Sequence, residues 1–139
     1  MAKSADETVT SAITVIPLSE IKAVLKGRLT AKNGTIHLVT DPGLWAYSAV
    51  AAVALPGIEQ RARTIRVRLK MRFGRIGMGW EMADGTGWTA RSAVQTVRTP
   101  QEVKLVVPAG TIGGKLIFDN WTAGGKPAEV VIQNIAIDG

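Results

Sequence analysis

Thr64–Trp88 reads TIRVRLKMRFGRIGMGWEMADGTGW, and its alternation decides the fold. Ile65, Val67, Leu69, Met71 and Phe73 interleave with Arg66, Arg68, Lys70 and Arg72. Successive side chains of a strand point to opposite faces, so this period of two predicts a half-buried strand with one apolar and one cationic face. Gly74-Arg75 predicts a turn, after which Ile76, Met78, Trp80 and Met82 alternate with Gly77, Gly79 and Glu81. The two strands are expected to fold back on each other. Glycines on the second strand leave room on that face, for a bulge or for something lying against the backbone. Asp84-Gly85-Thr86-Gly87 then has the composition of a turn.

The same grammar of short apolar runs and turn residues extends outward in both directions. Upstream, Thr8–Ile16 is β-rich and stops at Pro17, which cannot continue a central strand. Leu18–Lys26 suits either a short helix capped by Ser19 or another strand. RLTAKNGTIHLVT is a hairpin, because Asn33-Gly34 fits the positive φ angles of a type I′ turn. After Asp41-Pro42-Gly43, the run LWAYSAVAAVAL is a strand with small residues that let a neighbour approach closely.

Downstream, Ser92–Arg98, EVKLVV and KLIFDNW are strands separated by turns at Thr99-Pro100 and Gly113-Gly114. The chain closes on EVVIQNIAI, where a bulge near Gln133-Asn134 would bring Val130, Ile132, Ile135 and Ile137 to one face. About eight to ten short strands with at most one short helix predict an all-β, antiparallel two-sheet β-sandwich. Jelly-roll topology is the natural closed form at this length. Residues 1–7 are expected to be a flexible leader and residues 8–139 a single domain.

Composition narrows the chemistry. The chain has 139 residues, 46% apolar and 20% charged, enough for one continuous core and unlike a disordered segment. It contains no cysteine, which excludes disulfides, thiolate catalysis and Cys-based metal sites. The polar N-terminus lacks the apolar stretch of a signal peptide, and the run Ala46–Pro56 is too short to span a bilayer, so a cytoplasmic protein or an excised domain is expected, without membrane insertion. Arg61, Arg63, Arg66, Arg68, Lys70, Arg72 and Arg75 carry the excess behind the net charge of +6, and the remaining charges nearly cancel. Such a stripe is either the wet face of a sheet or an attractor of anions. Nucleic acid is disfavoured, because the residues between the arginines are aliphatic and point away, where single-strand binders interleave aromatics.

Catalytic residues are not expected. His37 is the single histidine and nothing marks it for a catalytic triad. Glu81 and Asp84, on a strand and in a turn, do not make a paired-carboxylate site. No cofactor is expected; Asp41, Asp84, Asp119 and Asp138 could ligate a structural calcium but lack the spacing of a calcium loop.

The tryptophans say more: there are four, against one tyrosine and two phenylalanines. Trp80 is in phase with Ile76 and Met78 and is assigned to the core. Trp45 and Tyr47 share a face and are expected to pack. Trp88 follows a turn and Trp121 follows Asp119-Asn120, so both are candidates for an exposed aromatic platform beside polar groups.

The runs RTIRVRLKMRFGRIGMGWEMADGTGW, EVKLVVPAG and KLIFDNWTAGGKPAEVVIQNIAI resemble galactose-binding-like jelly-roll modules. They are similar to the small carbohydrate-binding-module-like domains attached to bacterial glycosyltransferases and methyltransferases that process surface polysaccharide. The resemblance covers roughly residues 35–139 and is carried best by the ending "NW, loop, EVxIxxIxI". It implies non-catalytic, lectin-like glycan binding, with acidic or bacterial surface glycans among the ligands. End-loop candidates are Trp88, Asp84, Asn120 and Trp121; sheet-face candidates are Arg66, Arg68, Arg72, Arg75 and Glu81. The alternative is a β-sandwich oligomerisation or protein-interaction domain accessory to a polysaccharide-modifying enzyme, with a homo-oligomer as one outcome.

Overall fold

The computed structural model describes residues 13–52, 61–85, 87–94, 98–111 and 113–138. The expected leader, residues 1–7, lies outside them. The strands are β1 (Ile13–Val15), β2 (Ile21–Ala23), β3 (Arg28–Lys32), β4 (Thr35–Val39), β5 (Tyr47–Ala52), β6 (Arg63–Phe73), β7 (Ile76–Glu81), β8 (Trp88–Val94), β9 (Gln101–Val107), β10 (Lys115–Asn120) and β11 (Glu129–Asp138). Leu18–Glu20 forms one 3-10 turn with Pro17 at its N-cap, so Ser19 does not cap it.

All pairings are antiparallel. One sheet runs β3-β4-β11-β6-β9, with β1 also beside β11; the other runs β2-β5-β10-β7-β8. From β4 onward the chain changes sheet at every connection except the β7–β8 hairpin. That path is a jelly roll, as the sequence predicted.

One expectation is overturned. β6 and β7 do not pair: β6 lies between β11 and β9, while β7 lies between β10 and β8. The connection at Gly74-Arg75 crosses from one sheet to the other, with Gly74 at φ +73. Glycine adopts that angle without the steric cost that a Cβ brings. The arginine stripe of β6 and the glycine face of β7 therefore stand on opposite outer surfaces, not side by side.

The core forms where the apolar phases of the two sheets meet. Ile65, Val67, Leu69 and Met71 of β6 face Met78 and Trp80 of β7 and Leu116 and Phe118 of β10, all buried. Burying each large apolar side chain contributes about 1.5–3 kcal/mol. Trp80 is a core residue as expected, and its indole N–H donates to the Gly113 carbonyl at 3.1 Å. Phe73 departs from the pattern and is exposed at the end of β6. In β11 the register shifts between Ile132 and Asn134, and Val130, Ile132, Ile135 and Ile137 are all buried. Asn33 and Gly34 have φ of 52° and 76°, the type I′ turn the dipeptide requires.

Candidate functional site

The outer face of the five-stranded sheet is built on missing side chains. Gly77 and Gly79 alternate with the core residues Met78 and Trp80, so they point outward from the centre of the sheet. A Cβ at Gly77 would stand 2.2 Å from the indole nitrogen of Trp121 and 2.4 Å from Asp119 Oδ1. A Cβ at Gly79 would stand 2.6 Å from the ring of Trp88 and 2.8 Å from Arg91 Cδ. The space the sequence left over β7 is thus occupied by the chain's own aromatic rings, lying against the backbone.

Between those rings sits an ion pair. Gly79 is paired with Arg91 of β8, and Gly77 with Asp119 of β10, so the two charged residues flank the same strand. Arg91 Nη2 is 3.0 Å from Asp119 Oδ2. Its guanidinium carbon is 4.1 Å from the Trp88 ring centroid and 5.5 Å from that of Trp121. Asp119, only 2% exposed, also accepts from Trp121 Nε1 at 3.1 Å. Burial pushes its carboxyl above the usual carboxylate range, and Arg91 opposes that rise. The pair therefore fixes the orientation of one tryptophan by a hydrogen bond and stacks on the other by cation–π attraction.

The remaining wall comes from the turn before β5. Trp45 is 62% exposed and sits at φ +64, a left-handed conformation that costs a non-glycine residue roughly 1–2 kcal/mol. Its backbone is held there from both sides: its N–H donates to the Asn120 carbonyl, and the Ala46 carbonyl accepts from Asn120 N–H at 3.1 Å. Tyr47 meets Trp88 edge to face, with ring centroids 5.6 Å apart, and its hydroxyl donates to Glu81 Oε2 at 2.7 Å. Burial and that carboxylate together push the phenol pKa up to about 12. Leu44, Trp45, Tyr47, Arg75, Trp88, Arg91, Asp119 and Trp121 enclose an open groove of about 610 Å³.

Of the sequence candidates, Trp88, Trp121 and Arg75 come together in this groove, and Glu81 borders it through Tyr47. Trp88 opens β8, which begins earlier than the expected strand at Ser92. Asp84 is exposed on the β7–β8 turn and lines a smaller hollow of about 420 Å³ with Met82, Thr89 and Thr111. Asn120 is fully buried: its Nδ2 donates to the Gly43 and Lys126 carbonyls and its Oδ1 accepts from Thr122 N–H. Those bonds consume its polar atoms, so it is a fastener of the turns and not a ligand group.

Arg66, Arg68 and Arg72 belong to the other sheet. Arg66 is taken up by Asp138 and Glu102, and Arg68 and Arg72 are exposed. Arg75 and Glu81, expected beside them, are separated from them by the sandwich. The four aspartates considered for calcium do not converge: Asp41 accepts from Lys26 and Gly43 N–H, Asp119 holds Arg91, and Asp138 holds Arg66. Among the described residues no group of three His, Asp or Glu stands together.

Leu44, Trp45, Tyr47, Arg91 and Asp119 are the groove residues that sequence reasoning missed. The alternating glycines were the available signal, since a bare strand centre needs rings from neighbouring strands to cover it. No protein family model matches the sequence, and no curated protein matches it. Solved structures do. A family 29 carbohydrate-binding module from Piromyces equi aligns over 92% of this chain and 91% of its own, with 14% identity and a TM-score of 0.61. Variants of a second family 29 module, complexed with mannohexaose and with cellulohexaose, align over 90% of this chain and 89% of theirs, with 13% and 15% identity and TM-scores of 0.66. This chain has the jelly-roll fold of carbohydrate-binding modules.

Proposed function

We propose that the protein is a non-catalytic carbohydrate-binding module whose glycan lies in the groove on the outer face of the five-stranded sheet. The observation that carries the reading is the groove itself: three of the four tryptophans and the one tyrosine line it, with Trp88 and Trp121 laid flat over the glycines of β7. Flat indole faces stack on the C–H side of pyranose rings, while a few placed polar groups orient the hydroxyls. The shared fold supports it too, since two of the structural neighbours carry hexasaccharides. An accessory place beside a polysaccharide-processing enzyme, which the sequence resemblance implies, is the setting we propose.

The carboxylates of this face argue for binding and against hydrolysis. Glu81 is paired with Lys115, and Asp119 lies four residues further along that strand, so the backbones that carry the two carboxylates are about 13 Å apart at strand rise. Glycosidase pairs stand roughly 5–9.5 Å apart. Each carboxylate is also engaged, Asp119 by Arg91 and Glu81 by Tyr47.

Titration with β-1,4-linked hexasaccharides, followed by calorimetry, tests the proposal. Saturable binding that is lost in Trp45→Ala and Trp121→Ala supports it. Unchanged affinity in both variants, or no heat with any oligosaccharide at millimolar concentration, contradicts it.

A further inference from the structure

Arg75 stands apart from the other charges of the groove. Its backbone is fixed at the crossing between the sheets: its N–H donates to Thr122 Oγ1 at 2.9 Å and its carbonyl accepts from Trp121 N–H at 3.0 Å. Its side chain lines the groove with Trp45 and Trp121. Among the described residues the guanidinium has no ion-pair or hydrogen-bond partner, and its Nε is shielded from water with no acceptor. A guanidinium offers five donors in a fixed fork, and a positive charge on a groove wall with no counter-charge of its own attracts an anionic ligand.

The charges facing it decide which ligand does so. Arg91 is already neutralised by Asp119, whose oxygens accept from Arg91 and Trp121. Arg91 Nη1 is shielded from water and has no partner, so it is not presented to a ligand. Glu81 is outside the groove lining and is held by the Tyr47 hydroxyl. One positive charge is thus left without a counter-charge, between aromatic walls that already suit a sugar ring. A planar, singly charged carboxylate matches both the fork and the charge, since arginine–carboxylate pairs bind through two parallel hydrogen bonds. Resting on the glycan reading of this groove, we infer that Arg75 selects glycans bearing carboxylate groups, with a uronic acid residue beside the guanidinium. The site is distinct from the arginine stripe of β6, which lies on the opposite surface.

Hexamannuronate and mannohexaose differ only in whether C6 is a carboxylate or a hydroxymethyl group, so the pair isolates this contribution. The intact protein, titrated at low ionic strength, is expected to bind hexamannuronate roughly tenfold or more tighter than mannohexaose, as one charge-assisted pair provides. Arg75→Ala should bring the ratio to near unity, and Arg75→Lys, keeping the charge without the fork, should leave it intermediate. Arg68→Ala, on the other sheet, should leave the ratio unchanged. Equal or tighter binding of mannohexaose overturns the inference while leaving the glycan reading standing. A preference abolished by Arg68→Ala and kept by Arg75→Ala also overturns it. Failure of the protein to bind either hexasaccharide overturns both.

Discussion

Gly77 and Trp121 touch across the β7–β10 pair: the indole nitrogen lies where a side chain at position 77 would begin, 2.2 Å from an added Cβ. That nitrogen is not free to move, because it is bonded to Asp119, which holds Arg91. Gly77→Ala should therefore displace the tryptophan. Alanine normally gains about 0.5–1 kcal/mol over glycine in a strand, but overpacking against a fixed neighbour costs about 1–3 kcal/mol, so the net change is destabilising. Urea denaturation should show that loss, and calorimetry a loss of oligosaccharide affinity. A stabilised variant with full affinity would contradict this packing.

The Arg91–Asp119 pair predicts an asymmetry between fold and surface. Asp119→Ala leaves the Arg91 guanidinium and the Trp121 N–H without their acceptor, and breaking a buried pair costs several kcal/mol. Arg91 is itself about a quarter exposed, so about 2–3 kcal/mol is expected here. Arg68→Ala, at an exposed position of β6, should change stability by less than about 0.5 kcal/mol. Chemical denaturation of the two variants checks the difference, and equal values would refute the assignment of Asp119 as the anchor of the groove.

Asn120 should behave as a fastener. Asn120→Ala removes three side-chain hydrogen bonds to Gly43, Lys126 and Thr122, all at a fully buried position. At about 1 kcal/mol per bond the variant should lose roughly 2–4 kcal/mol. Because the same residue's backbone holds Trp45, loosening it should also broaden the Trp45 indole resonance in an NMR spectrum. A loss of binding with stability unchanged would instead return Asn120 to the role of ligand group.

Tyr47 gives a pH-dependent readout without interference, as the chain has no other tyrosine. Its pKa is raised from 10.0 to about 12, first by burial and then by the hydrogen bond to Glu81 and that residue's charge. A raised folded-state pKa means the folded protein holds the proton more tightly. The corresponding stability is fully present below pH 10 and is lost as pH rises through about 12. Absorbance of the tyrosinate should titrate near 12 in the native protein and near 10 in urea. Glu81→Gln should lower the native midpoint, leaving the part due to burial. A native midpoint of 10 with the fold intact would contradict the Tyr47–Glu81 contact.

Much of this architecture was legible because strand alternation reports burial directly. Ile65 to Met71 announced the core face of β6, Asn33-Gly34 the tight hairpin, and Gln133-Asn134 the bulge that rephases β11. What alternation cannot report is which strand pairs with which. Gly74-Arg75 looks the same whether it closes a hairpin or crosses a sandwich, and that ambiguity placed the arginines beside the glycines.

The site was half legible for a related reason. Trp88 and Trp121 were visible as aromatics near turns, but Arg91 and Asp119 are ordinary charged residues until the sheet sets them on either side of Gly77 and Gly79. Asn120 shows the converse: its residue type suggests a sugar ligand, and only its three internal bonds show that it is used up. Trp45 reads as a packing residue because the apolar run around it hides a left-handed turn.

The location of the glycan is most directly tested by the tryptophan indole N–H resonances of the ¹⁵N-labelled protein during titration with hexamannuronate and mannohexaose. Trp45, Trp88 and Trp121 line the groove, whereas Trp80 is fully buried with its N–H on Gly113. Saturable shifts of the three groove indoles, with the Trp80 resonance and the amides of Arg66, Arg68 and Arg72 unmoved, are the expected result. Shifts confined to the β6 arginines, or four indoles unmoved at saturating sugar, would contradict a glycan site on the five-stranded sheet.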